Sequence, residues 1–232
     1  MCRKLLLLIC VAFVVVLAGK TFAAAEWWVG HVSSDWDDSR NWHYQGLPGW
    51  IPTSADGVNM VVSGIPEANF PLLIQAGDDV ACAGMWAYAG EPNETGAPDC
   101  QWTMTGGTLA IHAGITLGCM WADANATFAL SGGEVNAVDE AMIIGAHNKI
   151  VSTGAGVVNM TAPGATFSVK SVTIPLQTGL KGRGIFNLNA GTINIGDGGL
   201  VMSAEGSMDI TNGTMTLAGD RMIEIGDYSV PG

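Results

Sequence analysis

Residues 102–111 read WTMTGGTLAI, and this pattern of apolar-x-apolar, small polar residue, turn and apolar-x-apolar decides the fold. It returns as FALSGGEVNA at 128–137, VNMTAPGATFSV at 158–169, FNLNAGTINI at 186–195 and MDITNGTMTL at 208–217. The period of two predicts β-strands, because runs of three or four residues are too short for a helix. A second short strand follows each segment: ITLG ends at Gly118, MIIG at Gly145, VTIP at Pro175, LVMS at Ser203 and IEIG at Gly226, with ACAG at Gly84 as an earlier member.

Repeats of 22 to 30 residues with two or three strands predict a solenoid, because one such unit cannot bury its own apolar face. We therefore expect an all-β fold, a parallel β-helix of about six short coils over residues 81–232. Two inward ladders should stack in register. The first contains Met104, Leu130, Met160, Leu188 and Ile210, and the second contains Leu109, Val135, Phe167, Ile193 and Met215.

Residues 26–80 do not repeat, and they predict a Trp-rich N-terminal cap for the solenoid. This segment contains Trp27, Trp28, Trp36, Trp42 and Trp50 and few aliphatic side chains before Trp50. The Trp rings therefore supply the core of the cap, since Trp buries a large apolar area. The alternative is that Trp36, Trp42 and Trp50 stack on sugar rings and form a carbohydrate site.

Residues 1–25 have the three parts of a secretory signal peptide. Arg3 and Lys4 precede an apolar stretch at 5–17, and Ala23-Ala24-Ala25 is an A-x-A cleavage site, so the mature chain should begin near Glu26. We therefore expect a secreted or cell-surface protein with no transmembrane span after cleavage. The mature chain then has 21 acidic and 6 basic side chains, a formal charge of −15. This charge argues against nucleic acid and anionic membranes as partners.

Residues 27–62 read WWVGHVSSDWDDSRNWHYQGLPGWIPTSADGVNMVV. This segment resembles the opening of secreted β-helix proteins from planctomycetes and related environmental bacteria. The Gly-Gly-Thr-type repeats resemble the same proteins and, more loosely, the passenger repeats of autotransporters. The resemblance covers nearly all of the mature chain and implies an extracellular or surface β-helix, but it assigns no catalytic residue. The C-terminal residues, DYSVPG at 227–232, look like an arrest in mid-coil, which suggests a fragment of a longer protein.

Two further sites are candidates. The sequence predicts no cofactor. Calcium is the alternative, because Asp35, Asp37 and Asn41 have the spacing of oxygen ligands in an EF-hand-like loop. That match fails where Arg40 and Gly46 replace the loop's Gly and Glu, so a capped turn is the competing interpretation. Cys82 and Cys119 follow similar apolar contexts on neighbouring coils, and export would permit a disulfide between them.

The sequence favours a structural or adhesive module without catalytic activity. Asp78-Asp79 and Asp139-Glu140 are adjacent acids, and neighbours on a strand point to opposite faces, so neither is an obvious acid/base pair. The alternative is a carbohydrate-binding or carbohydrate-active β-helix of the polysaccharide lyase or glycosidase type. Residues 26–140 contain 15 acids and one base, so binding that depends on charge or on Trp belongs there. The expected partners are extracellular glycans or cell-surface components.

Overall fold

The protein is described from a computed structural model, which places residues 25–30, 32–44, 47–61, 71–89, 99–119, 125–145, 155–174, 183–203, 206–219 and 223–226. These residues form an all-β structure with one short 3-10 helix at Ser39–Asn41. The strands are β1 Ala25–Trp28, β2 Trp42–Tyr44, β3 Leu47–Pro48, β4 Gly57–Val61, β5 Leu72–Ile74, β6 Asp79–Cys82, β7 Gly84–Ala89, β8 Cys100–Ile111, β9 Ile115–Cys119, β10 Ala126–Ile144, β11 Ala155–Met160, β12 Thr166–Ile174, β13 Arg183–Leu188, β14 Thr192–Ser203, β15 Ser207–Ile210, β16 Thr214–Leu217 and β17 Ile223–Gly226.

The strands pair in parallel from coil to coil and make a three-faced solenoid. The first face stacks β5, the start of β8, the start of β10, β11, β13 and β15. The second face stacks β6, the end of β8, the middle of β10, the start of β12, the start of β14 and β16. The third face stacks β1, β4, β7, β9, the ends of β10, β12 and β14, and β17. The predicted parallel β-helix is therefore confirmed, and the six rungs described on the second face span about five turns.

Both predicted ladders stack in register. On the first face Leu130 pairs with Met104 and Met160, Met160 pairs with Leu188, and Leu188 pairs with Ile210. On the second face the pairs join Leu109, Val135, Phe167, Ile193 and Met215. The interior residues of both ladders are fully buried, which makes a continuous apolar core along the rod. Ile210, in the last described rung of the first face, is 42% exposed because no described strand covers it.

The stacked coils begin earlier than residue 81. Ile74 pairs with Met104 and Val80 pairs with Leu109, so the segment LLIQAGDDVAC at 72–82 is itself a coil of the same kind. Asp35 also makes an isolated parallel bridge to Leu73, which joins the preceding loop to that coil. The boundary was hard to see in the sequence because this coil has one residue more than the next coil between its first and second strands: Ile74 and Val80 are six positions apart, whereas Met104 and Leu109 are five.

Residues 1–24 of the predicted signal peptide and the C-terminal DYSVPG at 227–232 lie outside the described residues, whereas Ala25 begins β1. Among the residues that the structure places, no helix has the length and apolar character needed to cross a membrane.

Candidate functional site

The cap is built on three buried Trp rings. Trp28, Trp36 and Trp42 are at most 1% exposed. Trp42 contacts Trp28 and Trp36 edge-on, with ring centroids 5.0 and 4.9 Å apart, and its Nε1 donates to the Trp36 carbonyl at 2.8 Å. The prediction that Trp residues form the core of the cap is confirmed.

That packing decides which Trp can meet a ligand. The rings of Trp36 and Trp42 have no exposed surface, so in this structure they offer no face to a sugar, which corrects the expectation of a three-Trp platform. Trp50 is 45% exposed and stands beside Tyr44, with ring centroids 5.5 Å apart. Its Nε1 donates to Asp56 Oδ2 at 3.4 Å. Trp50 is the member of the predicted set that remains accessible.

Asn41 organises the loop that was predicted to bind calcium. Its Oδ1 accepts from the backbone N–H groups of Val32 and Ser33, at 2.9 and 3.1 Å. Its Nδ2 donates to Ser33 Oγ and to the Asp35 carbonyl, at 2.8 and 3.0 Å. Both lone pairs of the amide oxygen are in use and the side chain is fully buried, so Asn41 supports the loop and has no free ligand atom.

The acids of this loop divide into two groups. Asp38 caps the 3-10 helix and binds Arg40 through two short contacts, Nε to Oδ1 at 2.8 Å and Nη2 to Oδ2 at 2.6 Å, which lowers the pKa of Asp38. Asp37 has a raised pKa, caused first by desolvation and then by the negative charges of Asp78 and Asp35. Within the described ranges no group of three or more His, Cys, Asp or Glu side chains is arranged to hold a metal ion. Calcium binding by Asp35 and Asp37 stays a prediction.

The predicted Cys82–Cys119 disulfide is not present, because Cys82 is a free, buried thiol. Cys82 pairs with Ile111 on the second face, whereas Cys119 pairs with Ala89 on the third. Burial raises the pKa of Cys82 to about 12. Cys100 is also free and buried, and its pKa is raised by burial and by the charge of Asp99. The two cysteines have similar sequence contexts but lie on different faces of the solenoid.

A concave surface follows the corner between the second and third faces, and we call it the corner groove. Its larger part has a volume of about 500 Å³ and is lined by Ala110, His112, Asn136, Val138, Asp139 and Glu140, among others. Its smaller part, of about 270 Å³, is lined by Val138, Ser168, Asn194, Gly196, Thr216 and Ala218, among others. Val138 is 54% exposed and lines both parts, so the two parts adjoin at this side chain.

A β-bulge shapes the middle of the corner groove. Three residues, 138–140, separate Ala137 from Ala141 in β10, opposite a single residue between Val169 and Ser171 in β12. The extra residues project outward, and both Asp139 and Glu140 line the groove. The expectation that these two acids point to opposite faces is therefore wrong, because the regular alternation of the strand is interrupted there.

A ladder of polar side chains follows the floor of the groove. Asn136, Ser168, Asn194 and Thr216 occupy the same register position on four successive coils. Asn194 Nδ2 donates to Ser168 Oγ at 3.3 Å, and Thr216 Oγ1 donates to Asn194 Oδ1 at 2.8 Å. Hydroxyl and amide groups retain further donors and acceptors after these bonds, so the ladder has hydrogen-bonding capacity for a ligand. The sequence contained this signal as the middle residue of each second apolar-x-apolar unit.

Comparison of the chain with protein-family models, with curated proteins and with solved structures gave no match.

Proposed function

We propose that this chain is an exported structural or adhesive β-helix module of the secreted or cell-surface type that its sequence resembles, and that it has no catalytic activity. The observation that carries the proposal is the continuous stack of coils on an apolar core, with a Trp cluster packed at one end. Such a stack is a rigid scaffold with three outer faces. The leader-like segment at 1–25 supports export, and its removal would leave the strongly acidic rod.

Export is tested by expressing the full chain in a Gram-negative host and sequencing the N-terminus of the product in each cell fraction. We expect a processed chain that begins at Glu26 outside the cytoplasm. Leu8→Arg together with Val14→Arg breaks the apolar part of the leader and should keep the chain inside and unprocessed. An unprocessed cytoplasmic product from the unaltered chain would reject the proposal.

Adhesion is tested by coating a surface with the mature chain and counting bacterial or host cells that remain after washing. A coat of the same chain denatured and alkylated is the control, since it has the same composition without the fold. Equal retention on both coats would argue against an adhesive role.

A second candidate function is binding of a neutral glycan along the corner groove. The polar ladder repeats once per coil, at a spacing of about 4.8 Å, which is close to the length of one sugar unit in an extended polysaccharide. Asp139 and Glu140 make the larger part of the groove acidic, which disfavours anionic polysaccharides and favours uncharged ones. The ladder supports an extended polymer better than a small compact ligand.

Glycan binding is tested on an array of neutral oligosaccharides and polysaccharides. Asn194→Ala and Ser168→Ala should each weaken binding about 3- to 10-fold, because each removes a hydrogen-bonding partner. Asn187→Ala is the matched control: it breaks the Asn187–Asn159 side-chain bond of 2.7 Å on the first face, away from the groove. Loss of binding on Trp50→Ala instead would place the site on the cap.

Release of reducing sugars or unsaturated products from a bound polysaccharide would show an enzyme and contradict the non-catalytic proposal.

A further inference from the structure

The inward column of the third face begins with a carboxylate. Val58, Met85, Ile115, Met142, Val172 and Leu200 form the buried part of this column. Glu26 pairs with Val58 and occupies the same column at the N-terminal end. Its side chain has no exposed surface. A carboxylate therefore takes a position that is apolar in the coils stacked on it.

This carboxylate has little compensation among the described residues. Neither Oε1 nor Oε2 of Glu26 has a hydrogen-bond partner of acceptable geometry, although the backbone N–H of Trp50 faces the group. Asp56, the charged neighbour that acts on it, is also negative and is 4% exposed. Desolvation is the main cause of the raised pKa of Glu26, followed in the same direction by the charge of Asp56. A buried charge without a partner is strongly destabilising.

The space around the carboxylate is fitted to it. A Cβ on Gly49 would overlap Oε2 of Glu26 and would lie 2.9 Å from the backbone of Trp42 and His43. Asp56 Oδ2 is already occupied, since it accepts from Thr53 N at 3.0 Å and Thr53 Oγ1 at 2.7 Å. The described contacts of Glu26 and Asp56 include no positively charged group. The cap thus holds the carboxylate in place without neutralising its charge.

Glu26 is also the first residue after the predicted cleavage site. Hydrolysis of the Ala25–Glu26 peptide bond consumes one water, leaves a carboxylate on Ala25 that departs with the leader, and leaves an α-ammonium on Glu26. The new charge lies on the same residue as the buried carboxylate. It also lies beside Asp56, because Ala25 pairs with Gly57, the residue that follows Asp56.

We propose that the α-ammonium created by cleavage after Ala25 is the counter-ion of the buried Glu26 carboxylate, so that removal of the leader stabilises the cap. This inference rests on the proposed export, because an uncleaved chain has an amide at that position. The device couples processing to folding: the cap reaches its full stability only once the leader has been removed.

The test is a double-mutant cycle on the mature chain 26–232, released from a fusion partner by a protease that leaves no extra residue. The four proteins carry Glu26 or the Glu26→Met substitution, each with a free or an acetylated α-amine. Methionine is similar in length to glutamate and occupies the equivalent place in a later coil, at Met85, and unlike an N-terminal glutamine it does not cyclise. Thermal unfolding is followed at pH 7 and low salt.

Acetylation should lower the unfolding midpoint of the Glu26 chain by about 5 °C, because charge-assisted hydrogen bonds are worth about 1.5–3 kcal/mol and a chain of this size shifts by about 2–4 °C per kcal/mol. Acetylation should change the unfolding midpoint of the Glu26→Met variant by less than about 1 °C, since the carboxylate that remains near the amine, that of Asp56, already accepts from Thr53. Glu26→Met should therefore destabilise the free-amine chain and stabilise the acetylated one. Equal effects of acetylation on both chains would overturn the pairing.

A chain that begins at Ala25 is the second control. It restores the strand pairing of Ala25 with Gly57 but moves the ammonium one residue away, so it should lose most of the stabilisation. Stability equal to that of the Glu26 chain would also overturn the inference. The cycle is measured on purified protein, so its result does not depend on export. A failure of export in cells would contradict only the proposed function. A lack of coupling between acetylation and the Glu26→Met substitution would contradict only the proposed pairing of the α-ammonium with the Glu26 carboxylate.

Discussion

At the scale of single residues, the turn between the first and second faces depends on one glycine. Gly107, Gly133 and Gly191 end this turn in three coils, with φ of 74°, 84° and 88°. This left-handed conformation is unfavourable for residues with a Cβ. A Cβ on Gly133 would also lie 2.6 Å from Met104 Cε and 2.7 Å from the backbone of Gly106 in the coil beneath. The glycine is required both by its own backbone and by the closeness of the next coil.

Gly133→Ala should therefore destabilise the rod by about 2 kcal/mol, from the left-handed backbone and the contact with the coil beneath. Urea unfolding followed by circular dichroism measures the change. Gly164→Ala is the control, since a Cβ there has no atom within 4 Å, and it should change stability by less than about 0.5 kcal/mol. Equal effects of the two substitutions would contradict this account of the turn.

The buried thiol of Cys82 gives a second prediction at this scale. Its pKa of about 12 leaves almost no thiolate at pH 8, and the side chain has no exposed surface. We expect iodoacetamide to leave Cys82 unmodified in the folded protein and to modify it once urea unfolds the chain, as read by mass spectrometry of peptides. Unfolding without reductant is the control: failure to label there would reveal a disulfide and contradict the free thiol.

At the scale of elements, each coil is stabilised by the coils on either side of it. The same column position illustrates this, since Leu188 is fully buried between Met160 and Ile210, whereas Ile210 is 42% exposed. A side chain that is covered on one side contributes less buried apolar area than one that is covered on both. The contribution of a ladder residue to stability therefore depends more on its position along the rod than on its residue type.

Leu188→Ala should cost about 2–5 kcal/mol, because it leaves a cavity between two rungs. Ile210→Ala removes a similar side chain from the adjacent rung and should cost less than about 1 kcal/mol, since much of that side chain is already in water. Chemical denaturation of both variants measures the difference. Similar costs would mean that the last described rung is covered in solution.

The ladders of this fold were predictable from the sequence, and the candidate site was not. The alternation of apolar residues around positions such as Leu130 and Val135 determines which side chains face inward, so register followed directly. The projection of Asp139 and Glu140 into one groove depends on a bulge, and the role of Asn41 depends on how a loop of irregular backbone closes. The sequence showed these residue types and their order but not the local backbone geometry that aims them.

At the scale of the whole molecule, the parallel strand pairs of the described coils join each coil to its neighbours. In such a molecule the free energy of unfolding is close to the sum of the stabilities of the single coils and of the interfaces between neighbouring coils. Unfolding therefore need not be a single event. The N-terminal end has the Trp cluster of the cap, whereas the last described coil has exposed Ile210 and Ile223 on inward columns. We therefore expect stability to fall along the rod from β10 toward β17.

Hydrogen exchange measures this gradient. Amides of β10, which is paired on both sides, should exchange slowest, and amides of β15, β16 and β17 should exchange fastest, because local opening needs the loss of one interface there. Uniform protection from β10 to β17 would contradict the nearest-neighbour account.

The parallel pairing between coils also decides how the molecule responds to mechanical force. Its interstrand hydrogen bonds lie along the axis of the rod, so tension applied along that axis opens one rung at a time, as in a zipper. Each coil that opens frees 22 to 30 residues, or about 80–100 Å of slack at about 3.5 Å per residue. Under tension along its axis, a rod of this architecture should therefore lengthen in steps of that size, one for each coil that opens.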